Sequence, residues 1–378
     1  MRLRFLILSF AVLILAAGTG YAQTFTGTLD GYWSYNSITP IDPTSDRLTN
    51  FDPTGDRFNN LRAFDTRDRT FSLNYGEIAM EYKPNDVGIR VDIGFGDAAD
   101  VVHAFEPGGL NEWRHIQQAY LTATKGSLTL DFGKFVTPIG AEVIETKDNW
   151  NYTRGFLFTW AIPFYHFGAR GTYVASDKVT LGGYVVNGWN NVKDNNVSKS
   201  VGLTGSYKPH EKITFVGNLL VGHENSFIAT SRQLYDAILT INVSDSVTMM
   251  ANYDYGRDRF VDTSSFLAVE GARAHWQGIA GYIKYKVNDT FTLSTRYEWF
   301  DDHDGFMTGT AQELQSGTGT MTIPFSDMTV WLEYRRDWGN RFVFAGSRPT
   351  PFGHTPDQRE DQTTVTLGLT YNFTKMVN

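Results

Sequence analysis

Apolar and polar residues alternate with a period of two along most of this chain. Near the C-terminus Val365, Leu367, Leu369, Tyr371 and Phe373 alternate with Thr364, Thr366, Gly368, Thr370 and Asn372. Val87, Ile89, Val91, Ile93 and Phe95 alternate with Gly88, Arg90, Asp92, Gly94 and Gly96. Phe291, Leu293, Thr295, Tyr297 and Trp299 do the same against Thr292, Ser294, Arg296 and Glu298. Segments starting at Val179, Val201 and Met328 repeat the pattern. Successive side chains of a strand leave opposite faces. Each segment therefore has one aliphatic or aromatic face and one face of hydroxyls, glycine and charge, which suits lipid on one side and water on the other.

This periodicity predicts strands near 24–37, 70–82, 87–97, 116–124, 127–135, 166–175, 178–189, 198–207, 212–223, 233–243, 246–256, 275–287, 290–301, 310–324, 328–338 and 362–373. Their connections alternate in length. Lys83-Pro84-Asn85-Asp86, Lys125-Gly126, Ser176-Asp177, Lys208-Pro209-His210-Glu211, Ser244-Asp245, Asn288-Asp289 and Phe325-Ser326-Asp327 are short hairpin turns. Between them lie longer segments at 38–69, 98–115, 136–165, 190–197, 224–232, 257–274, 302–309 and 339–361. Short turns on one rim and long loops on the other define an outer-membrane barrel. The expected fold is all-β: a transmembrane antiparallel up-and-down β-barrel of about sixteen strands, with short periplasmic turns and long extracellular loops. A strand of ~11 residues, rising ~3.3 Å each and tilted ~40°, spans roughly 27 Å, which matches an apolar band of ~25 Å. Phe71 and Leu73 fall on one parity and Ile78, Met80 and Tyr82 on the other, so a β-bulge is expected near Tyr75-Gly76. Tyr82-Lys83, Tyr207-Lys208 and Tyr285-Lys286 each precede a short turn, as residues of an interfacial girdle do.

The N-terminus sets the compartment. Arg2 and Arg4 precede an apolar run over 5–17, and Gly20-Tyr21-Ala22 forms a small-residue cleavage site. Residues 1–22 are thus expected to be a secretory signal peptide and 23–378 the barrel. The run is shorter than the ~20 residues of a spanning helix. There is no cysteine, so no disulfide can brace the chain. Aromatic residues make up 15% and glycine 36 positions of a chain with slightly negative mean hydropathy. That combination fits one-sided strands better than several soluble cores. Without Arg2 and Arg4, 31 basic residues face 41 acidic ones, a mature net charge of −10 that speaks against nucleic acid as a partner.

Several segments resemble the OmpL-like family of β-barrel porins, the porin-2 family. They are Leu61-Arg62-Ala63-Phe64-Asp65-Thr66-Arg67 leading into Phe71-Ser72-Leu73-Asn74, the run from Phe132-Gly133-Lys134-Phe135 through Thr137-Pro138-Ile139-Gly140-Ala141-Glu142, Asp148-Asn149-Trp150-Asn151-Tyr152-Thr153-Arg154, and Ala161-Ile162-Pro163-Phe164-Tyr165-His166-Phe167-Gly168. The resemblance implies an outer-membrane porin, a passive diffusion channel for small hydrophilic solutes or ions. Its partners would be outer-membrane lipids and those solutes, with a homotrimer as an assembly common to porins of this size. Five residues, Thr374 to Asn378, follow Phe373, where barrels of this compartment often end on an aromatic.

Segment 136–165 is the expected functional centre. It mixes Glu142, Glu145, Asp148 and Arg154 with Trp150, Tyr152, Phe156, Phe158, Trp160 and Phe164. A loop lying wholly in water would not carry so many rings. Folded into the barrel, it would bury the rings against the wall, turn its charges to the water and narrow the pore. A loop packed over the rim or against another subunit is the competing placement. Parity assigns Arg90, Asp92, Asp131, Arg170, Arg296, Glu298, Glu333 and Arg335 to the inner face, and both signs together make a transverse field. The three loop acids and the mature charge of −10 lead to an expected modest cation preference. The tandem Asp42-Pro43-Thr44-Ser45-Asp46-Arg47 and Asp52-Pro53-Thr54-Gly55-Asp56-Arg57 resembles a calcium ligand set, but Asp-Pro forms turns and each Arg opposes a cation. No G-x-S-x-G, H-E-x-x-H or P-loop pattern occurs. The sequence reading is of a channel without cofactor, metal or catalysis. An adhesin or receptor acting through the loops is the first alternative, and a barrel hydrolase the second.

Overall fold

The computed structural model describes residues 23–38, 59–83, 85–104, 106, 112–225, 230–262, 269–350 and 353–377. The expected signal peptide and both Asp-Pro repeats lie outside them. The strands in chain order are β1 (Gln23–Asn36), β2 (Phe71–Tyr82), β3 (Val87–Phe95), β4 (Ile116–Lys125), β5 (Leu128–Val136) and β6 (Tyr165–Ser176). They continue with β7 (Val179–Val186), β8 (Ser200–His210), β9 (Ile213–Gly222), β10 (Arg232–Asn242), β11 (Val247–Asp262) and β12 (Val269–Lys286). Last come β13 (Thr292–Asp302), β14 (Gln312–Phe325), β15 (Met328–Gly339), β16 (Phe344–Thr350), β17 (Gly353–Arg359) and β18 (Asp361–Val377). Sixteen of these form one closed antiparallel barrel, each paired with its sequence neighbours, with β15 bonded to β18 and β18 to β1. Closure pairs every strand edge, which a membrane requires.

Burial follows the period of two. Val365, Leu367 and Leu369 are each about half exposed on the outer face, whereas Thr364, Thr366 and Thr370 are buried inside. Tyr207, Tyr285, Tyr371 and Phe373 are exposed on the outer face close to the short turns. The bulge in β2 falls at Asn74, since Asp30 pairs with Tyr75 and Gly31 with Leu73.

Four features depart from the sequence reading. β11 and β12 extend into 257–274, which the sequence pattern marks as loop. Beyond the membrane both faces of a hairpin meet water, so polar runs such as Arg257-Asp258-Arg259 carry no alternation to mark a strand. Segment 339–361, also expected as loop, contains the β16–β17 hairpin, a separate two-stranded sheet. Pro349 and Pro356 argue against strand, but a two-stranded ribbon leaves an outer edge on each strand that needs no donor. A short helix α1 (Asp97–Val102) stands in 98–115. The C-terminal tail does not hang free: β18 runs on to Val377, pairing Thr374 with Thr26 and Val377 with Gln23.

The main apolar cluster lies inside the barrel. It joins Phe64 before β2, Phe156, Leu157, Phe158 and Phe164 between β5 and β6, and wall residues such as Trp276, Phe300 and Leu314.

Candidate functional site

The segment between β5 and β6 enters the barrel. Gly133 in the Phe132-Gly133-Lys134-Phe135 motif has φ +142°, and a Cβ there would stand 2.2 Å from the Ala119 carbonyl oxygen, so only glycine fits. From the end of β5 the chain crosses to β11, where the Ala141 N–H donates to Asn252 Oδ1 (3.3 Å). Thr146, opening a 3-10 turn (Thr146–Asp148), donates to Asp30 on β1 at 2.6 Å, and the Tyr152 hydroxyl reaches the same carboxylate at 2.6 Å. The Asn151 amide donates to Thr320 on β14 (2.7 Å). Glu333 on β15 accepts the N–H groups of Tyr152 (2.7 Å) and Thr153 (3.1 Å) and the Thr320 hydroxyl (2.7 Å). Glu298 on β13 accepts the Phe156 N–H at 2.6 Å. A single π-helical turn (Leu157–Ala161) then lies against β11 and β12, with the Trp276 indole N–H donating to the Ala161 carbonyl at 3.1 Å.

Rings complete the attachment. Phe64 meets Phe158 edge-on with centroids 5.5 Å apart, and Phe158 lies 5.2 Å from Phe164. Phe156, Leu157 and Phe158 are buried, and each such side chain is worth ~1.5–3 kcal/mol of transfer free energy. Backbone donors caught by wall carboxylates, and rings packed on Phe64 and, at Tyr152, on Tyr32 and Trp331 of the wall, hold the segment at both kinds of contact.

The twelve charged residues singled out from the sequence fall into three groups. Six gather under the inner segment. Arg296 bonds Glu142 (2.5 Å), the Thr153 carbonyl (2.6 Å) and Thr318 (3.2 Å). Arg335 bonds Asp337 (2.7 Å) and the Arg154 carbonyl (2.5 Å) and lies 5.1 Å from the Phe156 ring. Arg154 donates to the carbonyls of Val143 (3.0 Å), Tyr152 (2.5 Å) and Ile144. Together with Glu298 and Glu333 these residues are buried. Their charges are taken up in holding the segment and do not face water. Four others occupy the wall of β3 to β6: Arg90 bonds Asp92 (3.0 Å), and Arg170 bonds Asp131 (2.7 Å) while lying over the rings of Tyr120 and Phe135. Of the remaining two, Asp148 is exposed beside Lys147, and Glu145 is half-buried. Burial pushes the Glu145 carboxyl above its ordinary value; Lys147 pulls it back and Asp148 adds to the rise.

Sequence reasoning missed Asp30, Asn252, Trp276, Arg62 and Asp337, the last two joined at 2.7 Å. A signal for the landing surface was present. Leu220, Leu234, Trp276, Phe300 and Leu314 are apolar on the inner parity, where a water-filled wall would be polar, and all five are buried.

Residues 23–373 match the family described as "Putative beta-barrel porin-2, OmpL-like". The chain belongs to that family. None of the curated proteins matches the sequence. The fold is shared with solved outer-membrane barrels of low identity. An anion-selective porin from Comamonas acidovorans aligns with TM-score 0.60 and 8% identity, over 93% of this chain and 100% of that one. OmpT of Vibrio cholerae in its trimer form gives 0.59 and 12%, over 94% and 100%. OmpF of Salmonella typhi, in complex with daunomycin, gives 0.58 and 13%, over 94% and 98%. At such identities the likeness concerns the fold, which is that of an outer-membrane porin.

Proposed function

We propose that this porin-family barrel is a passive diffusion channel for small hydrophilic solutes and ions, without catalytic activity, and that segment 136–165 sets its width. The supporting observation is the anchoring of that segment: Glu333 and Glu298 on the wall take three of its backbone donors, at 2.6 to 3.1 Å. A loop fixed this way stays in the lumen without blocking it by chance motion. On the wall of β3 to β6 the partly exposed Arg90 and Arg170, whose partners Asp92 and Asp131 are buried, and the segment's own Glu145 and Asp148 supply the charge that solutes meet. The chain is exported by its first 22 residues, the mature protein starts at Gln23, and three copies assemble in the membrane.

Single-channel recording of the purified mature chain in a planar bilayer tests the reading. Discrete conductance steps, with uptake of small sugars into proteoliposomes, are expected. A correctly folded barrel that gives neither would leave the loops, and an adhesin or receptor role, as the reading to pursue. Mass spectrometry of the membrane-extracted protein checks the Gln23 start, and native electrophoresis in detergent checks the trimer.

A further inference from the structure

Lys284 differs from the other cations that project into the lumen from within the strands, clear of the turns. Among the described residues, Arg90, Arg170, Arg232, Arg296 and Arg335 each have a carboxylate oxygen within 3.7 Å. On the inner segment, Lys147 has Asp148. Among the described residues, Lys284 has neither a carboxylate nor a hydrogen-bond acceptor within reach. Its ammonium stands 4.6 Å from the ring centroid of Trp150 on the inner segment, and Trp150 in turn meets Tyr282 edge-on at 6.2 Å. Both Lys284 and Trp150 are half-buried, so water still reaches them. The register places Thr248 and Ser294 directly beside Lys284 on the flanking strands.

We propose that Lys284 and Trp150 form a transient binding point for the carboxylate or phosphate of a small anionic solute passing through the pore. The ring face attracts the ammonium without satisfying its hydrogens. A cation–π contact therefore holds the long side chain in one place and leaves its donors for a passing oxyanion. The Ser294 hydroxyl adds a donor of the kind such groups accept, whereas the Thr248 hydroxyl already donates to Asn242 at 3.1 Å. Trp150 offers a flat apolar surface to the carbon skeleton of the same solute. A wall whose other cations are already neutralised at short range would pass neutral and charged solutes alike. Among the described cations within the strands, Lys284 is the one left with its donors free, and there an anion exchanges its hydration for a protein contact.

The inference rests on the channel reading, and one set of recordings separates the two. Citrate is added to one chamber while current through the reconstituted mature protein is recorded, for the wild type and for Lys284→Gln and Lys284→Arg. Among the described residues Lys284 makes no ion pair or hydrogen bond, and the Arg variant preserves its charge, so the heat-modifiable gel shift of a folded barrel is expected for both. Citrate should block the wild type and the Arg variant alike. Block of the Gln variant should be roughly twofold to fivefold weaker, the scale of one half-exposed charge contact. The Gln variant's reversal potential in a salt gradient should also move toward cations. A conducting wild type that citrate does not block, or a Gln variant blocked as well as the wild type, overturns the inference and leaves the channel reading standing. A folded wild type without conductance overturns both.

Discussion

Arg296 on β13 and Glu142 on the inner segment meet at 2.5 Å, with the side chains 0% and 5% exposed. The pair joins the wall to the segment where neither group can turn to water. Removing one member of a buried pair leaves the other uncompensated, a loss of ~3–5 kcal/mol. Arg296→Met is expected to lower the unfolding free energy in urea titrations by that order. Arg296→Met combined with Glu142→Gln should recover part of the loss, because Glu142 is then no longer a buried charge without its partner, while Glu298, which also faces Arg296 at 3.4 Å, keeps only Arg335 at 3.7 Å. A double variant no more stable than Arg296→Met would show that the pair is not what links the two elements.

Gly155 passes so close to the wall that an added Cβ would lie 2.3 Å from Glu298 Oε2. The same oxygen accepts the Phe156 N–H, so a side chain at 155 must displace a carboxylate already in use. Gly155→Val should lift this stretch away from β13. The expected outcome is larger and noisier single-channel conductance, together with trypsin cleavage after Arg154, a residue otherwise buried. Wild-type conductance and full protease resistance in the variant would mean that the segment yields elsewhere.

On the far wall, Leu203 is 57% exposed on the outer face and its neighbour Thr204 faces inward, half-buried. Leu203→Arg puts a cation into lipid, at a cost of ~2–4 kcal/mol near the midplane. Thr204→Arg puts the same side chain where water can reach it and should cost much less. Equilibrium folding into phospholipid vesicles measures both, and equal losses would contradict the assignment of faces.

The barrel was legible because lipid enforces alternation: Leu203 and Leu367 have no other place to go, and each short turn carries Pro, Gly, Asn or Asp. The strand ends were less so. Beyond the bilayer the constraint lapses, and Val261 and Asp262 can continue a ladder in sequence that reads as loop. The inner segment announced its rings and charges, but not which charges would face water. Arg154 and Glu142 look alike to Glu145 in sequence; only the backbone carbonyls and Arg296 waiting for them decide that they are buried. The partners on the wall were written in breaks of the pattern, at Trp276, Phe300 and Leu314, whose apolar side chains stand on the face that should be wet.

In the proposed channel, Glu145 is expected to give a dependence on pH with a defined sign. Burial is the main cause that holds its carboxyl above the ordinary value of 4.5, so the folded protein keeps this proton more tightly than the unfolded chain does. The resulting stability is fully present below that value and is lost as pH rises through the raised folded value. Over the same window the segment gains a negative charge. Charges within the ~8–10 Å Debye length act on passing ions at physiological salt. Reversal potentials in a salt gradient are expected to shift toward cation preference as pH is raised from about 4 to about 8. In Glu145→Gln the shift should shrink, and the variant should gain stability relative to the wild type as pH increases. Asp148→Asn serves as the control, since Asp148 is exposed beside Lys147, and it should retain the pH-dependent part of the shift. If the Glu145→Gln profile tracks that of the wild type throughout, ions do not pass within screening distance of this carboxyl, and the narrowest part of the pore lies on another stretch of the segment.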